Sequence, residues 1–431
     1  MLWRTVLRSS SATWLAPPLA AFVALLLSDD LTSGVTHGYW PGALGAAAFA
    51  LPFVAPACAA AGAWEGARLT RGGVERWAPA RSGLGVALPL LAPVFLLGAV
   101  GMAAAAALTV SAGRPEAGGP PVGTVAGMVA VWLVILAAHA MAGFLLGKRL
   151  PLVVAAPSAL VLSFVLTAYP AALEPVWLRH MVTGGMSSCC ALDQTPGWRA
   201  AASALVLALG VIGAVALTLA TGPRRRRTLL ISGALAAGLV GSAGLAHGLP
   251  ADPVSARPAD ELRCAGGAPR VCLWPELSGR AAMVREQASD ARHRLQQAGL
   301  TVPGKLTMGE HPGHRALFIG SWPDPTASDV RAGVGTALLP SGPPACARSG
   351  DSFPGADAYG PTAAWLALTA GATVHDVAGH HGEKEAAMAT RVRQSSHRTQ
   401  LAWFQRNNKA LRDCTTHPAP LPPRRTQETS R

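Results

Sequence analysis

The stretch from Thr124 to Gly147 reads TVAGMVAVWLVILAAHAMAGFLLG, and His139 is its only ionisable residue. A bilayer core about 30 Å thick requires about 20 apolar residues in a helix, because the backbone must satisfy its own hydrogen bonds in lipid. The stretch therefore predicts a transmembrane helix. Six further runs meet this test, the first of them short, which predicts seven spans at 13–28, 41–64, 85–112, 124–147, 152–169, 200–221 and 229–249.

The composition divides the 431-residue chain into two regions. Residues 1–248 hold the long Ala, Leu, Val and Gly runs, whereas 251–414 has the mixture of a water-soluble domain. Over the whole chain 50% of residues are hydrophobic and 14% are charged, against about 25% charged in soluble proteins. The net charge of +13 does not indicate a nucleic-acid partner, because the basic residues are dispersed or stand between apolar runs.

Basic residues between the spans predict the orientation. Arg4 and Arg8 precede the first apolar run, and Ser28-Asp29-Asp30 has no small-x-small cleavage site, which indicates an uncleaved signal anchor. With the N-terminus inside, twelve Lys or Arg fall in inner segments and three in short outer loops. The positive-inside rule therefore predicts a multi-pass plasma-membrane protein with a cytoplasmic N-terminus and an extracytoplasmic C-terminal domain.

The cysteines fit that topology. Six of the seven fall on the predicted outer side, where disulfides form, and Cys58 lies within the second span. Local spacing favours a Cys264–Cys272 bond, and elimination favours Cys346–Cys414. Adjacent Cys189 and Cys190 are poorly placed to bond each other, so we expect them to reach the C-terminal domain or a second subunit.

Short strands and longer helices alternate in the C-terminal region. The predicted strands are Val271–Trp274, Leu306–Met308 and Ala316–Gly320, and the predicted helices are Arg280–Gly299, Ala363–Ala370, Val374–His380 and Glu385–Cys414. Residues 415–431, rich in Pro and Arg, are predicted to be a disordered tail. The predicted fold class is an all-α polytopic membrane bundle of seven helices at 1–248, followed by a mainly α, small α+β extracytoplasmic domain at 251–414.

Two motifs suggest chemistry without completing it. Gly299-x-x-x-x-Gly304-Lys305 is followed by Leu306, where a phosphate-binding loop needs Ser or Thr. In the stretch from His375 to Glu383, His375 and His380 are five residues apart and do not share a helix face. A solvated helix end is the favoured interpretation there, and a metal site is the alternative. No catalytic residue, metal or cofactor is assigned, and we do not expect an enzyme.

His139 leaves two interpretations open. Ionisable residues inside a membrane are functional candidates. A neutral His hydrogen-bonded across a helix interface is an equal alternative.

Short motifs carry a family resemblance. Trp40-Pro41-Gly42, the stretch from Ala63 to Arg68, and Val271-Cys272-Leu273-Trp274-Pro275-Glu276 together resemble a group of actinobacterial membrane proteins similar to type-2 ABC transporter permeases. Those proteins have a C-terminal extracytoplasmic domain of unknown function. The resemblance implies a homo- or heterodimer with a separate ATPase subunit, since this chain has no nucleotide-binding domain. In that arrangement the ATPase would dock on the basic loop residues Arg68, Arg71, Arg76 and Arg81, although a basic loop by itself also serves as a topology determinant.

The sequence thus leaves three functional hypotheses. The first is a permease-like subunit of an ABC-type exporter. The second is a membrane-anchored extracytoplasmic binding or sensing module, in which the spans hold the outer domain. The third, an enzyme acting through the stretch from His375 to Glu383, depends on a metal bound there.

Overall fold

The chain folds into two compact units, Met1–Ser255 and Ala256–Arg431. The computed structural model describes residues 7–28, 35–36, 38–73, 82–115, 119, 121–187, 189–220, 223–309, 315–347 and 352–422.

Apolar helices build the first unit. In chain order they are α1 (Ser11–Leu27), α2 (Trp40–Ala47), α3 (Leu51–Arg71), α4 (Gly83–Gly113), α5 (Val122–Arg149), α6 (Leu152–Ala168), α7 (His180–Thr183), α8 (Trp198–Leu219) and α9 (Arg224–Ala246). A 3-10 turn joins α2 to α3 into one 32-residue segment. Within the described residues six segments are long and apolar enough to cross a membrane, while α1, with 17 residues, falls short of that length.

Glycines allow the central helices of this unit to pack backbone to backbone. Gly62 and Gly66 on α3 lie against α5, and Gly143 and Gly147 on α5 lie against α3. A Cβ added at Gly143 would come 2.7 Å from the carbonyl carbon of Ala59 and closer still to its oxygen. Small residues at such spacing are the usual means by which transmembrane helices approach closely.

The outward faces of this unit are hydrophobic. Val153 on α6 is 80% exposed, and Val240 on α9 is 70% exposed. Leu and Val occupy much of the rest of these faces, at Leu160, Val161, Leu162, Leu229, Leu230, Leu235 and Leu239. Contiguous apolar surface of this kind is costly in water and favourable in lipid, which is consistent with membrane insertion.

In its described residues the second unit combines a small sheet with six α-helices. Strands β3 (Arg263–Ala265), β4 (Arg270–Leu273), β5 (Lys305–Thr307) and β6 (Ala316–Phe318) form one sheet in that order, the first pair antiparallel and the others parallel. Two earlier strands, β1 (Gln194–Pro196) and β2 (Val254–Ala256), pair near the boundary between the units. The helices are α10 (Ala281–Gln297), α11 (Ala327–Thr336), α12 (Tyr359–Ala370), α13 (Val374–His381), α14 (Glu383–Arg393) and α15 (His397–Ala410).

The three predicted strands and the first long helix of this unit are confirmed within a few residues. The predicted single helix from Glu385 to Cys414 is wrong, because the chain breaks between α14 and α15. Ser396 caps α15, its Oγ accepting the N–H of Thr399 at 3.3 Å. A side chain that satisfies a free N–H at this point favours a new helix start over continuation. The sequence analysis also missed α11.

Two tryptophans form the centres of the core of this unit. Trp274 is fully buried, donates from Nε1 to the carbonyl of Met308 at 3.1 Å, and lies under the guanidinium of Arg257. Trp365 is also fully buried and stacks on Phe404 with ring centroids 5.3 Å apart. These aromatic groups pack between the sheet and the helices of this unit and hold them together.

Candidate functional site

A cleft of about 1330 Å³ opens between β6, α11 and α13 of the second unit. Its floor is one face of α11, where Ser328, Ala332 and Thr336 recur every four residues. The opposite face of α11 places Val330 and Val334 in the core. This amphipathic spacing leaves a strip of small, half-buried residues at the bottom of the cleft.

One wall of the cleft is β6 and the turn that follows it. Ala316, Leu317 and Phe318 all line the cleft, and Trp322 follows them. Gly320 has a φ of +98°, and a Cβ there would lie 2.7 Å from the Trp322 ring. A glycine is therefore required at this turn, both for the left-handed backbone and for the space that the indole occupies.

The other wall carries two carboxylates. Asp329 completes a capping box with Thr326 at the start of α11, and its second oxygen accepts a hydrogen bond from His380 Nε2 at 3.2 Å. Asp376 caps α13 with Thr373. Hydrogen bonds from the hydroxyls of Thr373 and Ser328 lower the pKa of Asp376, so this carboxylate is ionised at neutral pH.

His381 lies on the same wall but adds no charge at neutral pH. Burial, followed by repulsion from His380, lowers the pKa of His381, while Glu385 acts in the opposite direction. The wall formed by the first turns of α11 and α13 is therefore acidic. Among the described residues that line the cleft, Arg412 is the one arginine.

Residues 271–414 match the domain of unknown function DUF7224. Every residue that lines the cleft lies within the DUF7224 domain. No curated protein and no solved structure matches the chain. The resemblance to ABC permeases therefore depends on the quoted motifs alone.

The stretch from His375 to Glu383, in which the sequence left a metal site open, contributes Asp376, His380 and His381 to the cleft of the DUF7224 domain. The described residues contain no group of three His, Cys, Asp or Glu side chains that could hold a metal ion. Asp376 and His380 instead take part in the cap of α13 and the contact with α11.

The disulfide predictions have two outcomes. Cys264 bonds Cys272 across β3 and β4, and Cys346 bonds Cys414 near the end of the DUF7224 domain, as expected. The expectation for Cys189 and Cys190 is wrong, since the two bond each other. Cys58 is free and buried, as expected.

His139 makes a hydrogen bond across a helix interface. Its Nδ1 lies 2.7 Å from Ser163 Oγ, which joins α5 to α6. This contact is the one expected for a histidine that is hydrogen-bonded across a helix interface.

Arg68 and Arg71 fall in the last turn of α3, whereas Arg76 and Arg81 lie outside the described residues. The guanidinium of Arg68 donates to the carbonyl and the hydroxyl of Ser9 and pairs with Glu65 at 3.5 Å. Arg68 therefore holds the start of α1, and both Arg68 and Arg71 are exposed.

Glu65 is a buried carboxylate that the sequence analysis did not single out. It is 2% exposed, and its Oε1 accepts from the Ser11 N–H at 2.9 Å and the Ser11 hydroxyl at 3.0 Å. A negative charge at the N-terminus of α1 also favours the helix dipole. The only sequence signal was one acidic residue at the end of an Ala-rich span.

Proposed function

We propose that this chain is a membrane-anchored binding protein whose DUF7224 domain takes up a ligand in the cleft. The observation that carries the proposal is the cleft itself. Its volume exceeds the roughly 300–1,000 Å³ of small-molecule pockets, which leaves room for a ligand larger than a typical small molecule, and it brings aromatic rings together with a few charged groups. The membrane-length helices of the first unit would hold this domain at the membrane surface.

The charge bias of the loops supports a plasma-membrane location with the N-terminus in the cytoplasm and the DUF7224 domain outside. The Cys264–Cys272 and Cys346–Cys414 bonds fit an oxidising compartment. A membrane-impermeant thiol reagent tests this placement in intact cells. Labelling of Cys414 only after reduction supports it, whereas labelling only in lysed cells and without reduction contradicts it.

Blocking the floor of the cleft tests ligand binding. In Ala332→Trp an indole would fill the strip of small residues on α11, whereas Ala282→Trp places the same group at an exposed position on α10. The full chain and both variants are purified from native membranes, and the released compounds are compared by mass spectrometry. We expect a compound in the wild type and in Ala282→Trp that is missing from Ala332→Trp. Identical profiles in all three would refute the proposal.

A permease-like subunit of an ABC-type exporter is the second candidate function. The observation that favours it is the polar interface between α5 and α6, where His139 and Ser163 meet within membrane-length helices. In this version Arg71 contacts a separate ATPase, and the chain works as a homo- or heterodimer. Co-purification of an ATPase with the wild type and its loss in Arg71→Glu, with Arg114→Glu at the opposite end of the spans as control, would support this candidate.

A further inference from the structure

Within the described part of the chain, the β6 strand is paired along one edge and not along the other. In the parallel pairing of β5 with β6, Thr307 lies opposite Phe318, and the Ile319 N–H donates to the Thr307 carbonyl at 2.9 Å. Backbone groups alternate in direction along a strand, so Leu317 and Ile319 face β5 while Ala316 and Phe318 face away from it. Among the described residues β6 pairs with β5 alone, and the backbone groups of Phe318 point toward its open side.

The cleft runs along that edge. Side chains of successive strand residues point to opposite faces of a sheet. Ala316, Leu317 and Phe318 are successive, and all three line the cleft. A space that contacts three successive residues borders the edge of the strand rather than one of its faces. The side of β6 that points away from β5, and that no other described strand pairs with, therefore borders the cleft.

The shape and charge of the remaining walls restrict the occupant further. The floor of small residues, Ser328, Ala332 and Thr336, admits a chain in extended conformation close to α11. The carboxylates of Asp329 and Asp376 add negative charge to the lining of the same cleft. A cationic side chain of the occupant would be attracted to them.

We infer that the cleft binds an extended, basic segment of another polypeptide, which adds as a strand beside β6 and directs a Lys or Arg side chain to Asp329 and Asp376. This inference rests on the proposed function, since it names the ligand class of the same cleft. Main-chain hydrogen bonds to an exposed sheet edge supply affinity in strand addition, and side-chain pockets supply specificity. The alternating N–H and C=O groups that match β6 belong to a polypeptide and not to a glycan.

Three synthetic probes test the inference on the full chain in zwitterionic nanodiscs. The first is a fluorescein-labelled octapeptide of alternating valine and lysine. The second has glutamate in place of lysine, and the third is N-methylated at every second amide. Fluorescence anisotropy measures binding, with empty nanodiscs as control. We expect the lysine peptide to bind at least tenfold more tightly than either counterpart, and its binding to slow hydrogen exchange at the Phe318 amide.

Variants of the chain locate the contact. Asp376→Asn keeps an oxygen that can accept the Thr373 hydroxyl but removes the charge, so we expect it to lower the preference for lysine over glutamate about tenfold. Asp260→Asn, at an exposed position outside the cleft, should leave the preference unchanged. Phe318→Pro removes the outward N–H and leaves the hydrogen bonds to β5 in place, so the lysine peptide should bind about tenfold more weakly.

Three outcomes would overturn the inference. Equal binding of the N-methylated peptide would exclude strand addition, and equal binding to the wild type and Ala332→Trp would place the peptide outside the cleft. Binding of a hexamer of N-acetylglucosamine, with no binding of the lysine peptide, would replace the polypeptide with a glycan. If no peptide binds but Ala332→Trp still loses the compound that the wild type retains, the proposed function stands and the peptide inference fails.

Discussion

Replacing Gly143 with Ala tests whether the backbone contact between α3 and α5 holds the first unit together. The added Cβ would lie 2.7 Å from the carbonyl carbon of Ala59, about 0.7 Å inside the 3.4 Å at which ordinary contact begins. Its neighbours there are backbone atoms, which cannot rotate away as a flexible side chain could. Relief therefore requires the two helices to separate, and contacts along the whole interface weaken together.

The expected size of the effect follows from two opposing contributions. Overpacking of a close contact costs about 1–3 kcal/mol, and a clash with backbone belongs near the upper end of that range. Ala gains up to about 1 kcal/mol over Gly in helix propensity. We therefore expect a net loss of about 2 kcal/mol, which in a unit of this size lowers the Tm by about 4–8 °C.

Gly127→Ala is the matched control, because it lies on the same helix and an added Cβ there meets nothing within 4 Å. Only the helix-propensity contribution applies at Gly127, so the Tm of Gly127→Ala should equal or slightly exceed that of the wild type. Intrinsic fluorescence during a thermal scan of the detergent-solubilised protein measures both variants at one scan rate. A Gly143→Ala protein at least as stable as Gly127→Ala would refute the packing that the structure shows.

Further predictions concern the buried carboxylate, the disulfides and the cap of α13. Glu65→Ala leaves the half-buried Ser11 N–H without its acceptor, so the thermal scan should show a loss of about 1–3 kcal/mol, with Glu286→Ala, at an exposed carboxylate on α10, close to the wild type. Removing the Cys346–Cys414 bond should lower the Tm more than removing the Cys264–Cys272 bond, because it closes the longer loop. The loop-closure entropy corresponds to about 4.4 kcal/mol for Cys346–Cys414 and about 2.6 kcal/mol for Cys264–Cys272, and the reverse order of Tm values would contradict this prediction. The pKa of Asp376 is lowered, so its cap stabilises the fold above the ordinary carboxyl pKa of 3.8 and loses that effect as the pH falls below it. The Tm difference between wild type and Thr373→Ala should therefore persist from pH 7 to about pH 4 and shrink at lower pH, and a constant difference would count against it.

Much of the secondary structure could be predicted because its signals are local. Apolar runs such as that from Thr124 to Gly147 specify membrane helices through length and hydrophobicity alone, and the structure places α5 over that run. The short α1 and the break at Ser396 show the limit of this reasoning. The length of α1 and the capping hydrogen bond at Ser396 decided these two features, and the hydrophobic pattern alone specifies neither of them.

The candidate site could not be predicted from local sequence signals. The sequence shows a dense group of polar residues at Asp376, His380 and His381, and their spacing indicates only a helix end or a metal site. The cleft also needs Ala332 from a helix that the sequence did not reveal and Phe318 from the edge of a sheet. Residues so far apart in the chain share a cleft only after the helices and the sheet have packed.

The sequence by itself determined which segments are apolar helices, where the water-soluble domain begins, and that Cys264 and Cys346 have partners there. These properties depend on composition, period and spacing along the chain. The tertiary structure alone decided which glycines of α3 and α5 face each other, that Glu65 accepts the Ser11 N–H at the start of α1, and that β6 lines one cleft together with Asp329 and Asp376. Those features are contacts between distant segments, and they depend on how the helices and strands are arranged in space.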